Sequence, residues 1–399
     1  MSGQTPALAD RMARIGMSPT MKGTLAADKL RRAGVDVVDL GAGEPDFPTP
    51  AHITAAAHAA LDANFTKYTP NMGTQELREA VGYHYREMYG VSYAADEVIA
   101  TAGGKQALFH AAMTLFNPGD EVITHSPGWP TILEQIKLAG ATPVIVRTKP
   151  ENGFSLSADA ILAAVTPKTR AIVINSPGNP TGALLSEAEA RILAVGAAAR
   201  GLWVVVDFCY EQLVYDNEPH NLAKIFGDAM RDRLVLCGSA SKGYAMTGWR
   251  CGWVLAPKPV VSAANALQSH ETSNVNSITQ KAAVAALTGP QGCVDEMRTV
   301  YKQRRDQVIE WLKEEPRFVC AVPKGAFYLY PTVDQFLSPK GAPTAQAFSD
   351  GLLETEHVVI TPAEAFDATG AFRISYATSL ETLREGVTRL IRYARQLPR

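Results

Sequence analysis

The sequence predicts an α/β protein: a large domain on a mostly parallel central sheet, with a smaller α+β domain beside it. Three observations carry this expectation. At 399 residues the chain is longer than one core usually serves, which favours two domains. Runs in the middle of the chain, residues 171–175, 202–207 and 234–238, are β-branched and apolar on both faces, as strands covered from both sides must be. Helical patterns separate them, such as residues 187–200 behind a Ser186 N-cap, and repeated strand–helix–strand units follow.

Towards the C-terminus the pattern changes. Residues 317–331, 357–361 and 371–377 read as strands, set among long helices over 293–315 and 380–396. The expected division is a large domain over 46–295 and a smaller one formed by 1–45 together with 296–399. Its boundary falls within or just before the long helix near residue 295.

Composition narrows the partners. With 38 basic and 40 acidic residues interspersed and a net charge of −2, neither nucleic acid nor an anionic membrane is indicated. No apolar run approaches the ~20 residues that cross a bilayer. Cys209, Cys237, Cys251, Cys293 and Cys320 are odd in number and form no Cys-x-x-Cys pair, which argues against a disulfide framework or a metal site. Residues 1–21 lack the apolar region of a secretory signal, so a cytoplasmic location is the expectation.

Ligands of an open parallel sheet bind beyond the carboxyl ends of its strands. Three consecutive candidate strands end in reactive residues. The first runs into Ser176-Pro-Gly-Asn179-Pro-Thr-Gly182. The second closes on Asp207, with Tyr210 three residues on. The third leads into Ser239-Ala-Ser241-Lys242, then Met246-Thr-Gly-Trp-Arg250. Taken singly these are a turn, a helix cap and a surface lysine. Together they supply an amine, a carboxylate, a phenol, an amide and a Ser/Arg anion cradle at neighbouring strand ends. That set meets what pyridoxal phosphate requires of a protein. A carboxylate keeps the ring nitrogen protonated through nearby opposite charge. A lysine amine anchors the cofactor and, once displaced, shuttles protons.

With these pieces in order, the chain resembles the fold-type I aminotransferases of the aspartate aminotransferase family, in their Thermus-like bacterial branch. The resemblance runs from about Val37 to Ser379. It includes Leu40-Gly-Ala-Gly-Glu-Pro-Asp46, Lys67-Tyr-Thr-Pro, Gly103-Gly-Lys-Gln-Ala-Leu108, Ser126-Pro-Gly-Trp129 and Phe372-Arg-Ile-Ser-Tyr-Ala377. It implies Lys242 as the Schiff-base lysine, Asp207 on the pyridinium nitrogen, and Tyr210 and Asn179 on the ring oxygen. It further implies Trp129 stacked on the ring, and a phosphate held by Ser239, Arg250 and the amides of Gly104 and Lys105. Gly103-Gly104 also directly precedes a helical stretch over 106–116, and a helix N-terminus favours anions on its own account. Tyr68 would reach the phosphate of a neighbouring subunit, which implies a homodimer with shared sites. Arg373, with Gly43 alongside, would bind the substrate carboxylate.

On substrate the resemblance points to aspartate and glutamate, through Lys105 and Thr20, with prephenate and aromatic amino acids as alternatives. A β-eliminating lyase on the same fold and a non-enzymatic regulator are the rival readings. Three departures stand out. Residues 18–22 carry Pro19 and Lys22 where small residues are usual. Residues 268–276 are atypical, with His270 and Glu271 expected at the surface. Gly128 replaces a tyrosine, which is expected to enlarge the pocket.

Overall fold

The computed structural model describes residues 8–17, 21–218, 220–339 and 341–397. Its strands are β1 (Val38–Asp39), β2 (Val98–Thr101), β3 (Glu121–Ser126), β4 (Thr142–Arg147), β5 (Thr169–Asn175), β6 (Trp203–Asp207), β7 (Leu234–Ser239), β8 (Gly252–Leu255), β9 (Tyr328–Leu329), β10 (Val358–Val359), β11 (Thr361–Pro362) and β12 (Phe372–Ser375). Seven of them form one sheet in the order β2-β8-β7-β6-β5-β3-β4. Only β8 runs against the others. The three strands expected in the middle of the chain therefore lie side by side and parallel.

Alternation along these strands feeds two cores. Ile172, Ile174, Val204, Val206, Leu234 and Leu236 point to one face, where they meet Leu77, Val81 and Tyr85 of the helix Gln75–Tyr89 and Leu193 of the helix Glu187–Ala199. Ala171, Val173, Val205, Val235 and Cys237 point to the other, against Leu108 and Ala111 of the helix Gly104–Leu115 and Ile132 and Ile136 of the helix Pro130–Leu138. Each fully buried Val, Leu or Ile contributes ~1.5–3 kcal/mol. This explains why β5, β6 and β7 are apolar from Ala171, Trp203 and Leu234 up to the rim. Ser186 caps its helix as expected, accepting from the Glu189 amide at 3.2 Å.

A third core gathers around a three-stranded sheet, β11-β12-β9, and the helix Leu380–Gln396, whose bounds are those expected. The N-terminal β1 pairs with β10, which joins the start of the chain to this part. The expectation of a strand over 317–331 needs correction, because only β9 forms a ladder there. Pro323 has no N–H to donate, and Ala326 turns into the left-handed region at φ 58°. The stretch instead bonds to two loops. The amides of Lys324 and Gly325 donate to Gly182 O, each at 3.0 Å, and Ala326 N donates to Leu213 O at 2.9 Å. Among the described residues, no helix is long and apolar enough to cross a membrane. All five cysteines are free thiols.

Candidate functional site

Asn175, Asp207 and Ser239 close β5, β6 and β7, and pairing sets Asn175 beside Asp207 and Asp207 beside Cys237. All three share the parity of Val173, Val205 and Val235. They therefore sit on the face covered by the helix Gly104–Leu115, at the level where that helix begins. The start of this helix is pressed against the sheet. Gly103 has φ 88°, and a Cβ there would lie 2.6 Å from an Arg250 nitrogen, while a Cβ on Gly252 would lie 2.6 Å from Gly104 N. Only glycine fits at both places. Arg250 is held by the carbonyls of Thr247 (2.8 Å) and Ala102 (3.1 Å). Ser239 Oγ accepts from Ser241 N at 3.1 Å and meets Ser241 Oγ at 2.9 Å. A helix N-terminus, two hydroxyls and a guanidinium thus converge as a cradle for an anion.

One cavity of about 650 Å³ opens beside this cradle and takes in Lys242, Asp207, Tyr210, Asn179, Trp129, Gly43 and Arg373. Asp207 is buried, with its Oδ1 accepting from Cys209 N at 2.9 Å. Burial pushes its carboxyl up to about 7, with the Lys242 charge pulling the other way. Burial likewise pulls the Lys242 amine below its usual range, against the opposing influence of Cys209 and Glu44. An amine drawn towards neutrality thus shares a cavity with a carboxyl that is stabilised by any cation placed against it.

Tyr210 is buried, and its hydroxyl bonds that of Tyr328 at 2.8 Å. Asn179 is fixed by its amide, which donates to Asn175 Oδ1 at 2.8 Å. Trp129 is half-buried at the head of the helix Pro130–Leu138, with Lys105 Nζ 5.3 Å from its ring centroid. Burial, then the charge of Arg250, lowers the pKa of Lys105.

The second wall comes from the three-stranded sheet. Arg373 is 3% exposed within β12, opposite Thr361, with its guanidinium 4.3 Å from the Tyr328 ring centroid and 5.2 Å from that of Phe366. Its Nη1 donates to Asn179 Oδ1 at 3.0 Å and its Nη2 to Gly41 O at 2.7 Å, while its buried Nε has no partner among the described residues.

The strap after β1 spans the two walls. Asp39 Oδ1 accepts from Gly41 N at 2.9 Å, Gly41 O takes Arg373, and Gly43 O takes Lys242 Nζ at 2.5 Å. Glu44 then accepts from Thr247 Oγ1 at 2.9 Å, and Asp46 is gripped by Arg304 at 2.7 and 2.8 Å.

Of the residues singled out from sequence, eleven line this cavity: Gly43, Gly104, Lys105, Trp129, Asn179, Asp207, Tyr210, Ser239, Lys242, Arg250 and Arg373. Tyr68 does not; it is 91% exposed on the loop ahead of the helix Gln75–Tyr89. Thr20 lies outside the described residues. His270 and Glu271 are both exposed as expected; Glu271 also bonds the buried His110 at 2.9 Å, and Thr272 Oγ1 accepts from Gln106 at 2.9 Å. Residues 271 and 272 are thereby clipped to the helix that forms the anion cradle. Gly128 does not enlarge the cavity, since a Cβ there would collide with His125 O and the residue lies outside the cavity lining.

Sequence reasoning missed Tyr328, Cys209 and the Arg31–Asp39 pair, which also line the cavity. Cys209 could have been read from its place between Asp207 and Tyr210. Tyr328 carries no such signal, because it looks like any buried strand aromatic.

Residues 35–390 match the family described as aminotransferase class I and II. An aspartate aminotransferase of Geobacillus stearothermophilus is 40% identical over 386 residues, covering 97% of this chain and 98% of its own. An aspartate/prephenate aminotransferase of Cereibacter sphaeroides is 40% identical over 389 residues, covering 96% and 97%. Among solved structures, the aspartate aminotransferase of Thermus thermophilus with maleate superposes with a TM-score of 0.92 at 38% identity, covering 98% of this chain and all of that one. That of Rhizobium meliloti gives 0.94 at 37%, covering 99% and 100%.

Proposed function

The chain belongs to the aminotransferase class I and II family, and on that premise we propose that it moves an amino group between aspartate or glutamate and a 2-oxo acid, with pyridoxal phosphate anchored on Lys242. It is an aminotransferase; the cofactor, the donors and the residue roles are the proposal. The carrying observation is that a single cavity gathers the Lys242 amine, the buried Asp207 carboxyl, an anion cradle and the buried Arg373. The donor set fits the cofactor. The cradle of Ser239, Ser241, Arg250 and the helix start suits a phosphate, and the buried Asp207 carboxyl, which a nearby cation favours as the anion, suits a protonated ring nitrogen.

When bound, the cofactor supplies an electron sink for the charge left on the substrate Cα. The protein's residues do the rest. Arg373, buried in the cavity wall, would take the α-carboxylate as a fork. Tyr210 and Asn179 would donate to the ring oxygen, and Trp129 would stack on the ring. Held this way, the Cα–H bond would lie within reach of Lys242 Nζ, and burial, which lowers the pKa of that amine, favours its free-base form. The two halves follow a ping-pong order. Lys105 on the Trp129 face supports reading of a distal carboxylate.

The same proposal includes three further parts. The division into 46–295 and 1–45 with 296–399 is supported by the separate sheets, although Phe154, Tyr210 and Leu213 pack in the C-terminal core. A homodimer is supported by Tyr68, whose ring is exposed on its own subunit. A cytoplasmic location rests on composition and the free thiols.

The test is an absorbance spectrum of the protein loaded with pyridoxal phosphate, followed by aspartate, glutamate, and aromatic amino acids in turn. A lysine-dependent band that bleaches with aspartate or glutamate, with release of the 2-oxo acid, is expected. Bleaching only by aromatic donors would move the substrate assignment. Ammonia and pyruvate in place of exchange would overturn transfer in favour of elimination.

A further inference from the structure

We propose that Gln212 is a positioning residue for Lys242, acting through a glycine contact and a buried tyrosine. This rests on the reading of Lys242 as the cofactor lysine. Lys242 lies in neither helix nor strand. Residues 240–249 form successive turns, with Ala245 at φ 50° and Arg250 just beyond at φ 56°. Backbone bonds here are few, Tyr244 N to Ala240 O at 3.3 Å and Met246 N to Ser241 O at 3.1 Å, so side chains add much of the hold.

Gln212 does so at two points. Its carboxamide lies directly on the Cα of Gly243, because a Cβ on Gly243 would overlap Gln212 Oε1 and stand 2.8 Å from Gln212 Cδ. Its Nε2 donates to Tyr244 Oη at 2.9 Å. Tyr244, 1% exposed, donates a hydrogen bond to Gln291 Oε1 at 2.9 Å, and Gln291 is tied by Nε2 to the carbonyls of Ala286 (2.9 Å) and Gly289 (2.8 Å). The two residues after Lys242 are thus clamped, one by contact and one by a chain of hydrogen bonds.

The clamp originates beside the cofactor residues. Gln212 is two residues after Tyr210 on the same run of turns, where Leu213 N donates to Tyr210 O at 2.9 Å. Tyr210 and Lys242 are therefore placed relative to each other by one side chain. An apolar filler would not serve, since Tyr244 Oη needs its donor when buried. Gln212 is also the wall of a second cleft, of about 700 Å³, lined by Tyr89, Glu211 and His220. Truncating it would open a water path towards the Lys242 turn as well as loosen it.

The experiment uses the full-length enzyme loaded with pyridoxal phosphate and compares Gln212→Ala, Tyr244→Phe, Gly243→Ala and the double variant Gly243→Ala/Gln212→Ala. Steady-state kcat and KM are measured, with a pH titration of the lysine-dependent absorbance band. Gln212→Ala and Tyr244→Phe should each lower kcat about tenfold with KM changed less than about twofold, as a small misplacement of a reacting group does. The titration midpoint should move in both. Gly243→Ala should cost about a hundredfold, and the added Gln212→Ala should restore about tenfold of it, because residues in contact do not act additively. Wild-type kcat and midpoint in Gln212→Ala would overturn the proposal, as would a double variant no better than Gly243→Ala alone. Should Gly243→Ala fail to fold, Gln212→Ala and Tyr244→Phe decide between them. Absence of any lysine-dependent band in the unaltered enzyme would instead remove the Lys242 reading on which all of this stands.

Discussion

The rim of the seven-stranded sheet and the interior of the three-stranded sheet both deliver charged groups to one cavity, by opposite means. At the rim, Asn175, Asp207 and Ser239 are strand-end residues whose positions follow from a regular parallel ladder. In the smaller sheet, Arg373 sits inside β12, flanked by aromatic rings and held by a side-chain amide and a backbone carbonyl. The first arrangement is positioned by pairing. The second is positioned by packing. The rim should therefore govern the chemical step and cofactor retention, and the smaller sheet should govern substrate capture.

The largest expected effect tests the rim. Lys242→Ala should lower turnover about 10⁴-fold, since it removes both anchor and base; retained activity in a steady-state assay would dissolve the distinction between the regions. The next concerns Asp207. Burial raises its folded pKa to about 7 from the ordinary 3.8, so the folded state binds the extra proton between those values. In the cofactor-free protein, stability from this group is present below about pH 4 and is lost as pH rises through 7. The loss is at most ~4 kcal/mol. Asp207→Asn should flatten that slope in urea unfolding measured from pH 4 to pH 8. An unchanged slope would show that the carboxyl is already paired.

The smallest effect sharpens the other half of the comparison. Arg373→Lys keeps the charge but loses the fork. It should reduce kcat/KM for amino acids by about 2–3 kcal/mol, roughly 30- to 150-fold, mainly through KM. A loss confined to kcat would place Arg373 with the rim residues.

The same contrast explains what could be read from the sequence. Strand ends announce themselves, because an apolar run must stop where Asp207 or Asn175 begins, and the ladder then puts neighbours together. The helix Leu380–Gln396 was legible for a similar reason, its apolar stripe being local. The run at 317–331 was not, because which backbone groups Lys324 and Gly325 bond is decided by Gly182, far away in sequence. Tyr328 and the clipping of Thr272 and Glu271 to the helix at Gly104 likewise depend on contacts without local pattern. Gly128 misled because an absent side chain suggests space, whereas here the backbone has closed on it.

The strap between β1 and residue 46 carries its own consequence for affinity. Gly41 O and Gly43 O occupy Arg373 and Lys242 with acceptors belonging to the same chain. Each is a tethered competitor, present at a high effective concentration however dilute the enzyme is. A lone monodentate anion such as chloride gains little by replacing one such oxygen. A forked carboxylate offers Arg373 two bonds, where the strap oxygen offers one. The strap should thereby favour a carboxylate over a lone anion at Arg373.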